Sequence, residues 1–278
     1  MIHQLKKAHP VAQLCRTLQM PRSSYYARCR APGRASSGAS LLAAVRKIHK
    51  DNRRSYGTRR MAGELQDQGY AVGRHRARAL MHEAGIWNDR RRPHRYRRAL
   101  APSHVAPNQL DRQFAPPAPN VAWAGDITYL PTQKGWLYLA IVVDLYARRI
   151  VGWSFSATPD TALALDALKQ AVDARKPASG LLFHSDQGCQ YTSTAFVERL
   201  KQLGIVQSMS RRGNCWDNAV VERVFRTLKH EWMEITPYRD HAQAHADLLP
   251  FLSSWYNHRR LHSAIGMRPP AIVDAMAA

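Results

Sequence analysis

Residues 121–130 read VAWAGDITYL, a β-branched and aromatic run that contains a single acid, Asp126. This composition predicts a β-strand that carries the acid. The segments that follow are predicted as strands at 136–143 and 149–155, a helix at 161–175, a strand at 180–184, a helix at 195–203, a strand at 205–209 and a helix at 217–232. Strands that alternate with helices in this way indicate an α/β layered sheet.

Upstream of this sheet, residues 101–119 read APSHVAPNQLDRQFAPPAP and contain five prolines. A proline-rich stretch with few charges predicts a linker between folded units. We therefore expect a domain at 120–278, which includes a C-terminal extension, and a helical domain at 40–100, which ends in a basic tail. Residues 1–35 form a separate segment with the pattern of a helix-turn-helix.

The positive charge of the chain is concentrated before the sheet. Residues 1–119 hold 24 Lys and Arg against 6 Asp and Glu, a net charge of +18, whereas residues 120–278 hold 17 against 14, a net charge of +3. A region this basic repels itself unless an anionic partner is present. We therefore expect the N-terminal part to bind a polyanion, and nucleic acid in particular.

The helical domain carries arginines on short predicted helices. Apolar residues at helical spacing predict helices over 41–48, around Met61 and Leu65, and over 74–81. A dense basic run at 90–98 follows, which can hold phosphate backbone without a fold of its own. The candidate DNA-contacting side chains in this domain are Arg74, Arg76, Arg78, Arg90, Arg91, Arg92, Arg95, Arg97 and Arg98.

The sequence gives no sign of a membrane or secreted protein. No apolar run approaches the roughly 20 residues that a membrane-spanning helix requires. The N-terminal sequence MIHQLKKAHP lacks the apolar core of a secretory signal. We therefore predict a cytoplasmic, nucleoid-associated protein with no membrane partner.

Three acids occupy positions that such a sheet can bring together. Asp126 lies on the first strand, Asp186 follows the fourth strand, and Glu222 lies on the last helix. An acid at the carboxyl end of a strand, followed by a glycine turn, faces the crevice in which these sheets bind ligands. Mg²⁺ prefers oxygen ligands, and phosphodiester chemistry with two metal ions needs two or three carboxylates.

The last helix has two faces. Its apolar stripe consists of Val221, Val224, Phe225, Leu228 and Trp232, and its polar stripe of Glu222, Arg226 and Lys229. A helix with these stripes can pack on the sheet and still present Glu222 at the sheet edge. Asp217 or Asn218 is expected to cap the helix, and Lys229 to lie two turns, about 10 Å, beyond Glu222.

The same features have an ordinary structural explanation. An aspartate at a strand end is often only a turn former, and Glu, Arg and Lys at helical spacing are often only a solvated face. Spacing and placement therefore leave both a metal site and a purely structural role open.

The amino-acid sequences of five motifs favour the metal site. The chain resembles the OrfB-type transposases of the IS-three family of insertion sequences, which have a DDE integrase catalytic core. The matching stretches, in chain order, are SYGTRRMAGELQDQGYAVGRHRARALMHEAGI, WAGDITYL, HSDQGCQYTS, RRGNCWDNAVVERVFRTLKHE and WYNHRRLHSAIGMRPPA. The resemblance covers nearly the whole chain.

The resemblance implies a ribonuclease-H-like integrase core preceded by all-α, helix-turn-helix-like DNA-binding segments. It implies that Asp126, Asp186 and Glu222 are the catalytic residues and hold Mg²⁺ (or Mn²⁺), with two ions expected. The reaction is then cleavage at the inverted-repeat ends of the element, followed by attack of the freed 3′-hydroxyl on DNA. Lys229 is expected to contact the element end, with Arg226 beside it, and Asn218 to support the site.

The resemblance also implies partners. These are double-stranded DNA, as element ends and as target, further copies of the chain on that DNA, and the upstream OrfA product or a frameshift fusion with it. The last is expected because the chain has no sustained heptad repeat. Two alternatives remain at this point: a catalytically silent DNA-binding regulator of transposition and a plain ribonuclease-H-like nuclease.

Overall fold

The computed structural model of the chain describes residues 10–23, 25–26, 35–86, 105–212, 214–234 and 236–277. The predicted basic tail, with Arg90, Arg91, Arg92, Arg95, Arg97 and Arg98, lies outside these residues. Ser24 and residues 27–34 of the segment 1–35 also lie outside the described residues.

The described part of the N-terminal region is helical, as predicted. Its helices are α1 (Val11–Thr17), α2 (Ala35–Asp51), α3 (Thr58–Asp67) and α4 (Arg74–Glu83). In α4 the side chains of Ala77, Leu80 and Met81 are buried at helical spacing. The arginines between them therefore point away from the core.

A five-stranded sheet follows the helical domain. Its strands are β1 (Ala122–Thr132), β2 (Gly135–Asp144), β3 (Arg149–Ser156), β4 (Leu182–Ser185) and β5 (Val206–Met209). The order across the sheet is β3-β2-β1-β4-β5. Strands β1 to β3 pair antiparallel, whereas β4 pairs parallel with both β1 and β5. All the strands that the sequence predicted are present within about two residues of their expected ends.

Helices cover both faces of the sheet. They are α5 (Thr161–Arg175), α6 (Thr194–Gln202), α7 (Ala219–Thr227), α8 (His241–Pro250) and α9 (Pro270–Ala275). A 3₁₀ turn (Cys215–Asn218) precedes α7, a π-helical turn (Leu228–Trp232) continues it, and a longer π-helical segment (Phe251–Arg259) continues α8. The single long helix predicted at 217–232 is thus three pieces with different helical periods.

Alternate side chains of β2 belong to two different apolar clusters, one on each face of the sheet. Leu137, Leu139 and Ile141 belong to the cluster that contains α7, whereas Ala140 and Val142 belong to the cluster that contains α5. On the α5 face, close packing depends on Gly152 of β3. A Cβ at Gly152 would lie 2.3 Å from the carbonyl oxygen of Ala167, so only glycine permits this approach.

The segment 105–119 differs from the free linker that its prolines suggested. It has no regular secondary structure, but Leu110 is buried against the main cluster. The backbone amides of Gln109 and Leu110 donate to Ser208 Oγ at 2.9 and 3.1 Å, and the Asn108 amide donates to Asp217 at 3.0 Å. Because apolar and hydrogen-bonding side chains lie between its prolines, the segment packs along the sheet edge.

The helical domain also packs against the rest of the chain. One apolar cluster runs from α2 and α3 through the sheet to α8 and the C-terminal π-helical segment. Arg53 donates to Asp247 at 2.8 Å and to the carbonyl oxygen of Trp232 at 3.1 Å across this junction. The domain division at 40–100 and 120–278 stays a prediction, because the two parts share a core in this structure.

Candidate active site

The parallel pairing of β1 with β4 brings Asp126 and Asp186 side by side. Ala122 is opposite Leu182 and Ala124 is opposite His184. The paired residues end at Ala124 and His184, so each acid follows the last pair by two residues, and the charge of Asp186 acts on Asp126. The 60-residue separation of the two acids is therefore a consequence of the strand register.

Local backbone hydrogen bonds orient both aspartates. Asp126 Oδ1 accepts from the amide of Ile127 at 2.7 Å, and Asp186 Oδ1 accepts from the amide of Gly188 at 2.9 Å. A Cβ at Gly188 would lie 2.9 Å from Asp186 Oδ1. Glycine at 188 therefore allows the turn that holds the Asp186 carboxylate.

Helix α7 brings Glu222 to the same place. Its stripe of Val221, Val224 and Phe225 is buried, as predicted, and the helix packs on β1 and β2. Glu222 itself is half-buried, on the side of the helix next to this stripe.

The predicted cap of this helix is wrong. Neither Asp217 nor Asn218 makes a side-chain cap to α7; Asn214 caps the preceding 3₁₀ turn, its Oδ1 accepting from the Trp216 amide at 3.2 Å. Asp217 instead pairs with Arg211 and Arg112, both at 2.8 Å. Two guanidinium partners hold its carboxylate more strongly than a single amide can.

The three carboxylates share one electrostatic environment. Burial raises the pKa of Asp126 well above its ordinary value, and the charges of Asp186 and Glu222 raise it further. Burial also raises the pKa of Asp186, and burial and then the charge of Asp186 raise that of Glu222. Asp186 has solvent-accessible surface, so its shift reflects the dense protein around it rather than complete enclosure. The structure thus brings these three predicted residues together.

Lys229 is a further predicted residue that reaches this cluster. It lies in the π-helical turn after α7, half-buried. Burial lowers the pKa of its ammonium group, while the negative charge of Asp126 opposes this effect. The change to a π-helical period rotates Lys229 relative to a straight helix, yet keeps it within the electrostatic range of Asp126.

Asn218 and Arg226 are the two remaining residues of the core that the sequence predicted near the DNA. Asn218 is buried, and both polar atoms of its amide lack a hydrogen-bond partner among the described residues. Arg226 is exposed and lines a neighbouring cavity rather than the space between the acids. Buried amides rarely stay unpaired, so Asn218 has hydrogen-bonding capacity left for a substrate or for water.

Tyr191 is a neighbour of the acids that the sequence analysis did not single out. It is buried against Phe183 and Phe196, with ring centroids 6.2 and 5.2 Å away. Burial raises the pKa of its hydroxyl well above the ordinary value, and the charges of Asp126 and Asp186 contribute. Its position five residues after Asp186, inside the motif HSDQGCQYTS, was the available signal.

The arginines predicted on α4 form an exposed basic surface. Arg74, Arg76 and Arg78 are all exposed, and they flank the buried stripe of the helix on both sides. They lie apart from the three carboxylates. Within the described residues, no helix is long and apolar enough to cross a membrane.

The carboxylates do not converge on one point. Among the residues that the structure describes, no group of three Asp, Glu, His or Cys side chains stands close enough to hold a single metal ion. The donor set is nevertheless suited to hard cations, because it consists of carboxylate oxygens that repel one another.

Comparisons with known proteins agree with this geometry. An Integrase core domain model matches residues 116–215, a second Integrase core domain model matches 203–270, and an HTH-like domain model matches 38–94. The integrase core and a helix-turn-helix-like region before it are therefore confirmed, and the match covers the helical domain, whereas the helix-turn-helix pattern of residues 1–35 stays a prediction.

Curated relatives match over most of their length. The transposase for insertion sequence element IS904 of Lactococcus lactis is 36% identical over 81% of this chain and 90% of its own. Transposase InsF for insertion sequence IS3A of Escherichia coli is 35% identical over 94% of this chain and 92% of its own. A solved HTLV-2 integrase catalytic core domain in complex with magnesium aligns more loosely, at 19% identity over 57% of this chain and 98% of its own, with a TM-score of 0.43.

Relatives of this identity extend across the helical domain, the sheet and the C-terminal extension together. The chain therefore belongs to the IS-three family of insertion-sequence transposases, enzymes with an integrase catalytic core.

Proposed function

We propose that Asp126, Asp186 and Glu222 are the catalytic, metal-binding residues of this transposase. The observation that carries the proposal is the electrostatic contact among them: the charges of Asp186 and Glu222 raise the pKa of Asp126, and the charge of Asp186 raises the pKa of Glu222. An unbalanced group of this kind costs folding free energy unless a cation compensates it. Perturbed carboxyls in a crevice are typical of catalytic sites.

Two Mg²⁺ (or Mn²⁺) ions fit the donor set. Asp126, whose carboxylate is affected by the charges of both Asp186 and Glu222, would hold the ions together with those two acids. Bound there, the ions would supply an activated nucleophile and stabilisation of the leaving oxygen for phosphodiester cleavage and strand transfer.

The remaining residues of the site orient the DNA. Lys229 holds an ammonium group next to Asp126, where it can bind a phosphate adjacent to the cleaved bond. The unpaired amide of Asn218 can donate to and accept from the same strand. Tyr191 is too deeply buried to take part directly and keeps the β4 end packed beneath the aspartates.

The N-terminal half binds the DNA that the core acts on. The exposed arginines of α4 and the basic run at 90–98 would hold the backbone of the inverted-repeat ends and target. Two element ends must be joined in one reaction, so we also propose a homo-oligomer on DNA, together with the upstream OrfA product or a fusion with it. The protein would act in the cytoplasm, at the nucleoid.

No observation on the described residues favours the two alternatives. A silent DNA-binding regulator has no need for three coupled acids, and a plain nuclease has no need for the basic helical domain that packs on this core.

The proposal is tested by strand cleavage and joining on a labelled duplex that carries the inverted repeat of the element, with Mg²⁺. Asp126→Asn should bind this DNA but neither cut nor join it, because the amide cannot replace a shared carboxylate ligand. Asp166→Asn, an exposed aspartate of α5, is the matched control and should act as wild type. Normal strand transfer by Asp126→Asn would show that the acids are not the catalytic site.

A further inference from the structure

A cavity of about 350 Å³ lies beside α7, where the helical domain meets the C-terminal extension. Cavities of about 300–1,000 Å³ are the size that proteins use to bind small ligands. One acid, Glu231, and five arginines line this cavity, which we call the arginine pocket. The arginines are Arg60, Arg148, Arg223, Arg226 and Arg260.

Glu231 is fully engaged by two of these arginines. Arg260 donates to both of its oxygens, at 2.8 and 2.9 Å, and Arg60 donates to one at 3.0 Å. Burial alone would raise the pKa of Glu231, but the hydrogen bonds and charges of Arg260 and Arg60 lower it overall. Glu231, the one acid among the described lining residues, is therefore already shared by two guanidinium groups.

Arg148 is one of the three pocket arginines, with Arg223 and Arg226, that do not bind Glu231. Its Nη1 is buried and has no hydrogen-bond partner among the described residues. Its backbone lies in the left-handed region, with φ of 60°, in the turn between β2 and β3. A long side chain rarely adopts this conformation, because its Cβ crowds the carbonyl. The fold thus tolerates backbone strain and an unpaired buried donor at one residue, a combination typical of functional sites.

The pocket keeps an excess of positive charge in spite of Glu231. Burial and the charges of Arg260 and Arg60, with a smaller contribution from Arg148, lower the pKa of His262 to about 2. The imidazole is therefore neutral and does not add to the charge. Three guanidinium groups thus lower the pKa of the same imidazole. They belong to Arg60 of the helical domain, Arg148 of the turn after β2 and Arg260 near the C-terminus.

We propose that the arginine pocket binds a phosphate of the DNA backbone, with Arg148 as its main ligand. This inference rests on the proposed function, because it assigns the ligand from the DNA on which the enzyme acts. A phosphodiester has the charge that the pocket lacks, and its two free oxygens match the paired donors of guanidinium groups.

The position of the pocket fits a strand that also reaches the acids. Arg223 and Thr227 face the pocket, about 100° and 140° around α7 from Glu222, and Arg226, about 40° from Glu222, also lines it. The pocket and the acids therefore lie on adjoining faces of α7. A backbone that crosses α7 can place one phosphate at the acids and a nearby one at Arg148.

The test measures binding of a labelled duplex of about 30 base pairs of arbitrary sequence over a range of NaCl concentrations, because phosphate contacts are independent of sequence. Arg148→Asn removes the charge while asparagine tolerates the left-handed backbone, so the variant should fold and melt normally. Lys176→Asn is the matched control: Lys176 also has a positive φ, 44°, is exposed, and ends α5 on the other face of the sheet.

We expect Arg148→Asn to bind about tenfold more weakly near physiological salt, as loss of one charged hydrogen-bonding contact implies. The slope of log K against log salt should decrease by about 0.9, which corresponds to one phosphate. Lys176→Asn should change neither. Wild-type affinity and slope for Arg148→Asn, or equal losses in both variants, would overturn the proposal.

Two further outcomes would also overturn it. Thermal stabilisation of wild type by inorganic phosphate, without any change in the DNA salt slope of Arg148→Asn, would assign the pocket to a free anion. A dimer that Arg148→Asn abolishes in the absence of DNA would assign it to an acidic side chain of a second copy. Because Asp126→Asn tests cleavage and Arg148→Asn tests the salt slope, failure of the catalytic proposal and failure of this one are distinguishable.

Discussion

Two charged clusters lie on neighbouring faces of the same short helix, α7, and they are opposites. On one side Asp126, Asp186 and Glu222 place three carboxylates together with one nearby ammonium group, that of Lys229. On the other side the arginine pocket has five guanidinium groups and one carboxylate. The first cluster lacks positive charge and the second lacks negative charge.

A third cluster shows how this fold treats charges that have only a structural role. Asp274 is paired with Arg175 at 2.7 and 2.8 Å and also with Arg149. Although burial opposes it, these partners lower the pKa of Asp274 overall. The pKa of Asp126 moves in the other direction. The fold can therefore pair a buried acid with arginines where the charge has only a structural role. The two clusters beside α7 lack such balanced pairing, which leaves the acidic cluster for cations and the arginine pocket for anions.

Glu222→Gln should break the acidic cluster with the largest effect. The glutamine keeps the shape of the side chain but not the charge needed by a cation. We expect strand cleavage to decrease by about a thousandfold or more, as for loss of a main electrostatic group in other enzymes. Glu198→Gln, an exposed glutamate of α6, is the control. Measured single-turnover rates that differ by less than about tenfold between the two variants would contradict the assignment.

Glu231→Gln should destabilise the protein, because it removes the negative charge that balances two arginines of the arginine pocket. Removing its charge leaves Arg60 and Arg260 without a negatively charged partner, and the free energy of unfolding should fall by about 3–5 kcal/mol. Urea denaturation measures this change, with exposed Glu234→Gln as the control. Added sulfate should restore part of the loss, because an anion can take the place of the carboxylate. No loss of stability would mean that the pocket does not depend on this balance.

The sequence predicted one of these clusters and not the other, for a physical reason. Asp126 lies on a strand and Asp186 directly after one, and the patterns that predict those strands are local in the sequence. The pocket joins Arg60 of α3, Arg148 of a turn and Arg260 of the C-terminal segment, and no local pattern relates these positions. Tertiary packing of the helical domain on the core creates it. The expected linker docks separately, through its own contacts with the edge of the sheet.

Helix ends were the weakest part of the prediction in the core itself. The apolar stripe of α7 was correct because burial follows the helical period. Its cap was wrong because Asp217 has stronger partners, Arg211 six residues earlier and Arg112 from distant sequence. The π-helical turn after α7 was missed because it inserts an extra residue per turn without changing the composition.

The charge excess of the pocket should also appear in the dependence of stability on pH. Burial and the neighbouring arginines lower the pKa of His262 from 6.5 to about 2. Between these values the unfolded chain binds a proton that the folded protein does not, so stability is present above about pH 6.5 and is lost as the pH falls. This one residue should contribute about 1.4 kcal/mol per pH unit below 6.5.

Urea denaturation of His262→Gln between about pH 6.5 and 4.5 checks this dependence. The variant should lose less stability on acidification than wild type, whereas His258→Gln, which replaces an exposed histidine nearby, should follow wild type. Identical pH profiles for wild type and His262→Gln would show that the guanidinium groups do not act on this imidazole.

The central claim, that the acidic cluster is built for cations, is tested most directly by thermal unfolding of wild type and Asp126→Asn, each in EDTA and in Mg²⁺. In EDTA the variant should be more stable, with a Tm higher by about 2–4 °C, because it relieves roughly 1 kcal/mol of repulsion. Mg²⁺ should raise the Tm of wild type and leave that of the variant nearly unchanged. A variant that is less stable in EDTA and responds to Mg²⁺ as wild type does would contradict the account.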